Sequence, residues 1–150
     1  PVSDAEAFGV LDAATDRVSD EVGFEVALGV DLAASEMYDA DAGVYEYADG
    51  ERELDAQVDY VAEPVEEYGL AFVEDPTDEN DYGGFAAVTD RVGDRTVVCG
   101  DDVSVTNTDR LAEGIARGAS NSVLIKPNQI GTLSQTIDAI EWGRAPAGSQ

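Results

Sequence analysis

Four short apolar runs punctuate this chain, at residues 24–30, 70–73, 96–99 and 123–125. None alternates apolar with polar positions as a half-exposed strand would. Strands of that kind are buried on both faces, which calls for a parallel sheet lying under helices. Each run is followed by a stretch with helical periodicity, so the fold class is α/β, with about four parallel strands and flanking helices. The runs end at positions 31, 74, 101 and 126, and the last two intervals, 27 and 25 residues, suit single βα units. A barrel and a doubly wound sheet both contain such units. The units share architecture but not sequence, so the chain is not a repeat array.

The helical stretches can be placed from their caps and spacing. Ser3 and Glu6 form a capping box, and Phe8, Leu11, Thr15, Val18 and Val22 then recur at steps of three and four. A hairpin-like excursion carries Val44, Tyr45 and Tyr47 ahead of the Asp49-Gly50 turn. Val58, Val61, Val65 and Tyr68 mark the next helix, which Pro64 is expected to kink or shorten. Phe85, Val88 and Val92 mark a third, stopped by Gly93. Thr108 is expected to cap a helix through Leu111 and Ile115, and Thr132 a last one bearing Leu133, Ile137 and Ile140. Residues 141–150 turn to Gly, Pro and Ser and are expected to form a loose tail, leaving 1–140 as the organised part.

Every apolar run ends on an ionisable residue: Asp31, Glu74, Asp101 and Lys126. In a parallel sheet the carboxyl ends of the strands share one rim, the place where α/β proteins carry their chemistry. Three carboxylates brought together there repel one another unless a cation lies between them, and Mg²⁺ is the hard, oxygen-seeking ion for such a set. A lysine beside that cation is biased towards its neutral, proton-accepting form. Metal and base together are the means of removing a proton next to a carboxylate. The plainer alternative is that acids end strands because they favour turns and helix N-termini. Lys126 resists that alternative, being the single lysine of a chain whose other seven basic residues are arginines.

Charge narrows the partners. With 33 acidic residues against 8 basic ones, the net charge of −25 repels nucleic acid and anionic membranes alike. The acids are dispersed among apolar positions rather than gathered in a tail, as on a surface adapted to concentrated salt; an ordinary acidic protein would be expected to keep more lysine. Histidine is absent, which removes Ser-His and Cys-His nucleophile pairs and most zinc sites. The lone Cys99 allows no internal disulfide and fits a reducing, cytoplasmic setting. The Asp-rich runs at 39–43 and 78–83 are not calcium loops; position twelve of the second is Thr89 rather than Glu.

The run Val123-Leu124-Ile125-Lys126-Pro127-Asn128-Gln129-Ile130-Gly131-Thr132-Leu133 closely resembles the signature of the enolase (phosphopyruvate hydratase) family. Phe72-Val73-Glu74-Asp75-Pro76 resembles the family's metal-binding EDP strand, and Gly100-Asp101-Asp102-Val103-Ser104-Val105-Thr106-Asn107 its DD-x-x-VTN strand. The stretch from Leu28 to Glu36 is similar to the strand bearing the first metal ligand. The resemblance covers roughly residues 1 to 140 and implies a partial (β/α)₈ enolase-type barrel, its third to sixth strands being those found here. It implies that Asp31, Glu74 and Asp101 are Mg²⁺ ligands and that Lys126 is the base taking the C2 proton of 2-phosphoglycerate. The implied reaction is the reversible, glycolytic dehydration to phosphoenolpyruvate, with a small-molecule substrate and room for a homo-oligomer.

The departures are as informative. The family's general acid, a glutamate in a GDEGG-like motif, would precede Pro1. A second lysine, an active-site histidine and the Arg-Ser pair that grips phosphate would follow Gln150. The chain is therefore expected to be an internal or truncated fragment of a halophilic archaeal-type enzyme, inactive alone. The alternative is a non-catalytic remnant acting as an acidic cation- or partner-binding module. A third reading, another enolase-superfamily enzyme, is opposed by the Lys-x-Asn-Gln-Ile-Gly-Thr run.

Overall fold

The structure is a computed structural model that describes residues 3–144. Helix α1 (Asp4–Val22) starts on Ser3, whose side chain accepts from the Glu6 amide, and ends on left-handed Gly23. Strand β1 (Gly29–Asp31) follows, then a 3₁₀ turn (Ala34–Met37) and an antiparallel meander of β2 (Tyr38–Asp39), β3 (Val44–Tyr47) and β4 (Gly50–Arg52). The rest is α2 (Leu54–Tyr68), β5 (Phe72–Glu74), α3 (Tyr82–Val92), β6 (Val97–Gly100), α4 (Thr108–Arg117), β7 (Ser122–Val123), α5 (Pro127–Ile130) and α6 (Leu133–Arg144).

The main sheet runs β1-β5-β6-β7, each neighbouring pair parallel. Spatial order thus follows chain order without reversal. A doubly wound sheet reverses at a switch point, whereas a barrel winds steadily in one direction. The sheet is an arc of a (β/α)₈ barrel, and the choice that spacing left open is closed by topology.

The core lies between this arc and its helices. Val61, Ala62 and Val65 of α2, Val88 and Val92 of α3, and Leu70, Val73 and Val98 on or beside the strands form one buried cluster. Tyr82, Phe85, Val103 and Ala119 form a second. Asn121 ties the β6 end together, its carbonyl accepting from the Val98 amide (2.8 Å) and its amide donating to the Gly93 and Thr96 carbonyls. Among the described residues no helix is long and apolar enough to cross a membrane.

Several local expectations are corrected. β1 begins at Gly29, not Phe24, because its only partner, β5, begins at Phe72; Phe24 is 67% exposed. β7 stops at Val123, since β6 ends opposite it at Gly100, and residues 124–126 lead out of the sheet. α2 runs through Pro64 to Tyr68, because Val61, Ala62 and Val65 around the proline are all packed in the core, outweighing one forfeited backbone bond. The cap of α4 is Asn107 rather than Thr108; its side-chain oxygen accepts from the amides of Asp109 and Arg110. The run 127–130 is a helical turn. α6 takes in residues 141–144, and the remainder of the expected tail lies outside the described residues.

Candidate active site

The carboxyl edge of the arc is where backbone strain collects. Among the described residues four non-glycine positions have positive φ: Ala33 (45°), Asp75 (42°), Val105 (42°) and Thr106 (57°). Each follows a strand of the arc, and for β-branched Val105 and Thr106 the conformation is unusual. Such strain costs about 1–3 kcal/mol per residue and persists only where surroundings over-determine it. Here they do: the Val105 amide donates to the Asp101 carbonyl (2.7 Å), the Ala34 amide to the Asp75 carbonyl (3.1 Å), and the Asp75 amide to the Cys99 carbonyl (3.1 Å).

Register sets the acids side by side. Asp31 is paired with Glu74 across β1 and β5. One carboxylate oxygen each from Asp31, Glu74 and Asp75 lie within 4.8 Å of one another, and a second group joins Asp75 with Asp101 and Asp102. The three acids singled out from sequence therefore occupy one rim as two overlapping groups, with buried Asp75 common to both. Asp75 receives the amides of Asp101 (3.0 Å) and Asp102 (3.1 Å) on its two oxygens, which holds the β6 exit against the β5 exit. Its neighbour Pro76 is held in turn, the side-chain amide of fully buried Gln57 donating to the Pro76 carbonyl (2.8 Å).

The negative charge is only partly balanced. Burial raises the Glu74 pKa, the charges of Asp31 and Asp101 raise it further, and Lys126 pulls the other way. Burial likewise lifts Asp75 to about 6, against the backbone amides of Asp102 and Asp101. The ammonium of Lys126 pairs with Oδ2 of Asp101. That hydrogen bond raises the lysine pKa, whereas a cation among the same carboxylates would push it down.

Of the groups picked from sequence, Lys126 meets Asp101 directly and Asp31 stands with Glu74. Sequence reasoning gave no role to Asp75, Thr106 or Gln129. Their signal was present in the Glu74-Asp75-Pro76, Val105-Thr106-Asn107 and Lys126-to-Thr132 runs, but their partners are distant in the chain. A more apolar hollow of about 420 Å³ lies between α1, β1 and α2 and is lined by Phe8, Leu11, Met37 and Tyr60.

Parallel strands wound in chain order, with acids and a single lysine at their carboxyl edge, define part of a TIM-barrel protein with its polar groups where barrel enzymes keep them. Residues 2–148 match the family model described as Enolase, C-terminal TIM barrel domain. The chain belongs to the enolase family. It is similar to the enolase of Halorubrum lacusprofundi, 62% identical over 141 residues that make up 94% of this chain and 35% of that protein. The Halobacterium salinarum enolase is 59% identical over 93% of the chain and 35% of its own length, and that of Archaeoglobus fulgidus 45% over 93% and 34%. The chain thus spans about a third of the length of these curated relatives.

Proposed function

We propose that residues 1–140 are the central part of an enolase barrel domain, in which Asp31, Glu74 and Asp101 hold Mg²⁺ and Lys126 takes the C2 proton of 2-phosphoglycerate. The reaction is the reversible dehydration to phosphoenolpyruvate, in a cytoplasmic glycolytic enzyme. The observation that carries this reading is the Lys126–Asp101 pair at the same rim as the Asp31–Glu74–Asp75 group.

The residues fit a hard cation. Their donors are all carboxylate oxygens, Asp31 and Glu74 in one close group and Asp101 in a second that shares Asp75 with it. The raised pKa of Glu74 reflects burial beside two like charges that a divalent ion would offset. A bound Mg²⁺ would supply the positive charge that favours loss of a proton beside the substrate carboxylate. Lys126 holds or accepts that proton at Nζ. Its backbone amide, donating to Thr106 Oγ1 (2.9 Å), fixes where the side chain starts. Asp75 does not need to touch substrate; it keeps the Glu74 and Asp101 segments in fixed relation.

Mg²⁺ binding tests the reading. Burial raises the pKa of the ligand Glu74 and lifts its neighbour Asp75 to about 6. The acidic group therefore takes up protons as pH falls towards that value and loses the negative charge that draws the cation. Calorimetric titration is expected to give an affinity that is steady above pH 7 and falls as pH drops through about 6. An affinity unchanged from pH 7.5 to 5 would place the ion elsewhere. A further expectation concerns the 150 residues alone, purified free of contaminating enzyme: no measurable conversion of 2-phosphoglycerate. The family resemblance puts the general acid and the phosphate grip outside these residues, and loss of a positioned acid alone removes on the order of 10²- to 10⁴-fold from elimination.

A further inference from the structure

The Asp101 side chain, 9% exposed, is gripped from both sides by one helical turn. Lys126, the N-cap of α5, takes Oδ2, and Gln129, three residues on, donates from Nε2 to Oδ1 at 2.8 Å. Residues so spaced lie on one face of a helical turn. Gln129 Oε1 accepts from Thr106 Oγ1 (3.2 Å), and the same hydroxyl oxygen accepts from the Lys126 amide (2.9 Å). The contacts close a ring: Lys126 side chain, Asp101, Gln129, Thr106, Lys126 backbone.

The ring fixes the sense of the Gln129 amide. Nε2 must face Asp101, because the reverse orientation would set a carbonyl against a carboxylate. Oε1 then faces the Thr106 hydroxyl, whose other acceptor, the Leu124 carbonyl, is farther away at 3.5 Å. Gln129 thus engages Oδ1 of Asp101 and Lys126 engages Oδ2, which fixes the plane of the carboxylate.

We propose that Gln129, steered by the Thr106 hydroxyl, is a positioning residue that orients the Asp101 carboxylate towards the cation and towards Lys126. This rests on the reading of Asp101 and Lys126 given above. Gln129 is itself exposed, so replacing it leaves the core untouched.

The test is Mn²⁺ binding, followed by electron paramagnetic resonance in the full-length gene product. Gln129→Leu is expected to weaken Mn²⁺ about 10- to 100-fold, the usual cost of losing a group that orients a metal ligand. Thr106→Val, which keeps the branched shape, should weaken it in the same direction, and Thr106→Ser, which restores the hydroxyl, should return it to the parent value. Parental affinity in Gln129→Leu, with Asp101→Asn clearly weakened, would overturn the positioning role while leaving the site intact. Equal behaviour of Thr106→Val and Thr106→Ser would overturn the role of the hydroxyl. Parental affinity in Asp101→Asn would overturn the inference together with the proposed site.

Discussion

Replacing Lys126, the base in the proposed function, by methionine is expected to lower turnover of the proposed substrate, 2-phosphoglycerate, by the full-length gene product on the order of 10²- to 10⁴-fold, the usual share of a positioned general base. Mg²⁺ affinity should hold or improve. The two effects separate because the ammonium now occupies Oδ2 of Asp101, so a cation approaching that oxygen competes with it. Methionine keeps the length and apolar stem of the side chain and removes the charge. Steady-state rates and calorimetry on the same preparations report both quantities. Full activity in K126M would end the case for Lys126 as base; a collapse of Mg²⁺ binding would show that the ammonium supports the acidic cluster rather than competing with the ion.

The second large effect is that of salt on the 150-residue chain. At −25 the surface repels itself, and most of the scarce cations are already taken: Arg17 by Glu21, Arg52 by Asp49, Arg91 and Arg95 by Glu66, Arg117 by Glu113. Exposed pairs of this kind contribute about 0–1 kcal/mol each and leave most of the acids uncompensated. The apolar side is incomplete as well. α1 buries none of its residues fully, Val10 and Phe24 are 67% exposed, and Leu133 on α6 is 73% exposed. Among the described residues, neither outer strand of the arc, β1 or β7, has a second strand partner. In 0.1 M salt the screening length is about 10 Å, and at 1 M about 3 Å. Dilute buffer is therefore expected to give a molten or associating species and molar KCl a cooperative fold, as read by near-ultraviolet dichroism and light scattering. A sharp melt of a monomer at 0.1 M salt would contradict this.

How much of this was legible in the residues alone differs from element to element. The runs at 70–73 and 96–99 are apolar on both faces, and they became the interior strands β5 and β6 close to where they were read. The outer runs were read too long. A strand at the edge of an arc has one partner and ends where that partner does, which no local pattern encodes. Pro64 is a strong local signal for a break, yet the burial of Val61, Ala62 and Val65 around it decided otherwise. Asn107 outcompeted Thr108 as cap by reaching two amides.

The same division runs through the rim. Residue order along the chain is enough to say that acids and a lone lysine close successive strands, since strand-then-helix patterning is local and parallel strands bring like ends together. It is also enough for the family, because short runs such as the one from Val123 to Leu133 are specific in themselves. Which carboxylates meet is another matter. That Asp75 joins both groups, and that Gln129 and Thr106 bind Asp101 and Lys126 into one ring, depends on register and on backbone turns at positive φ. Those are properties of how the strand exits pack on one another, and contacts between residues twenty or more positions apart become visible only in three dimensions.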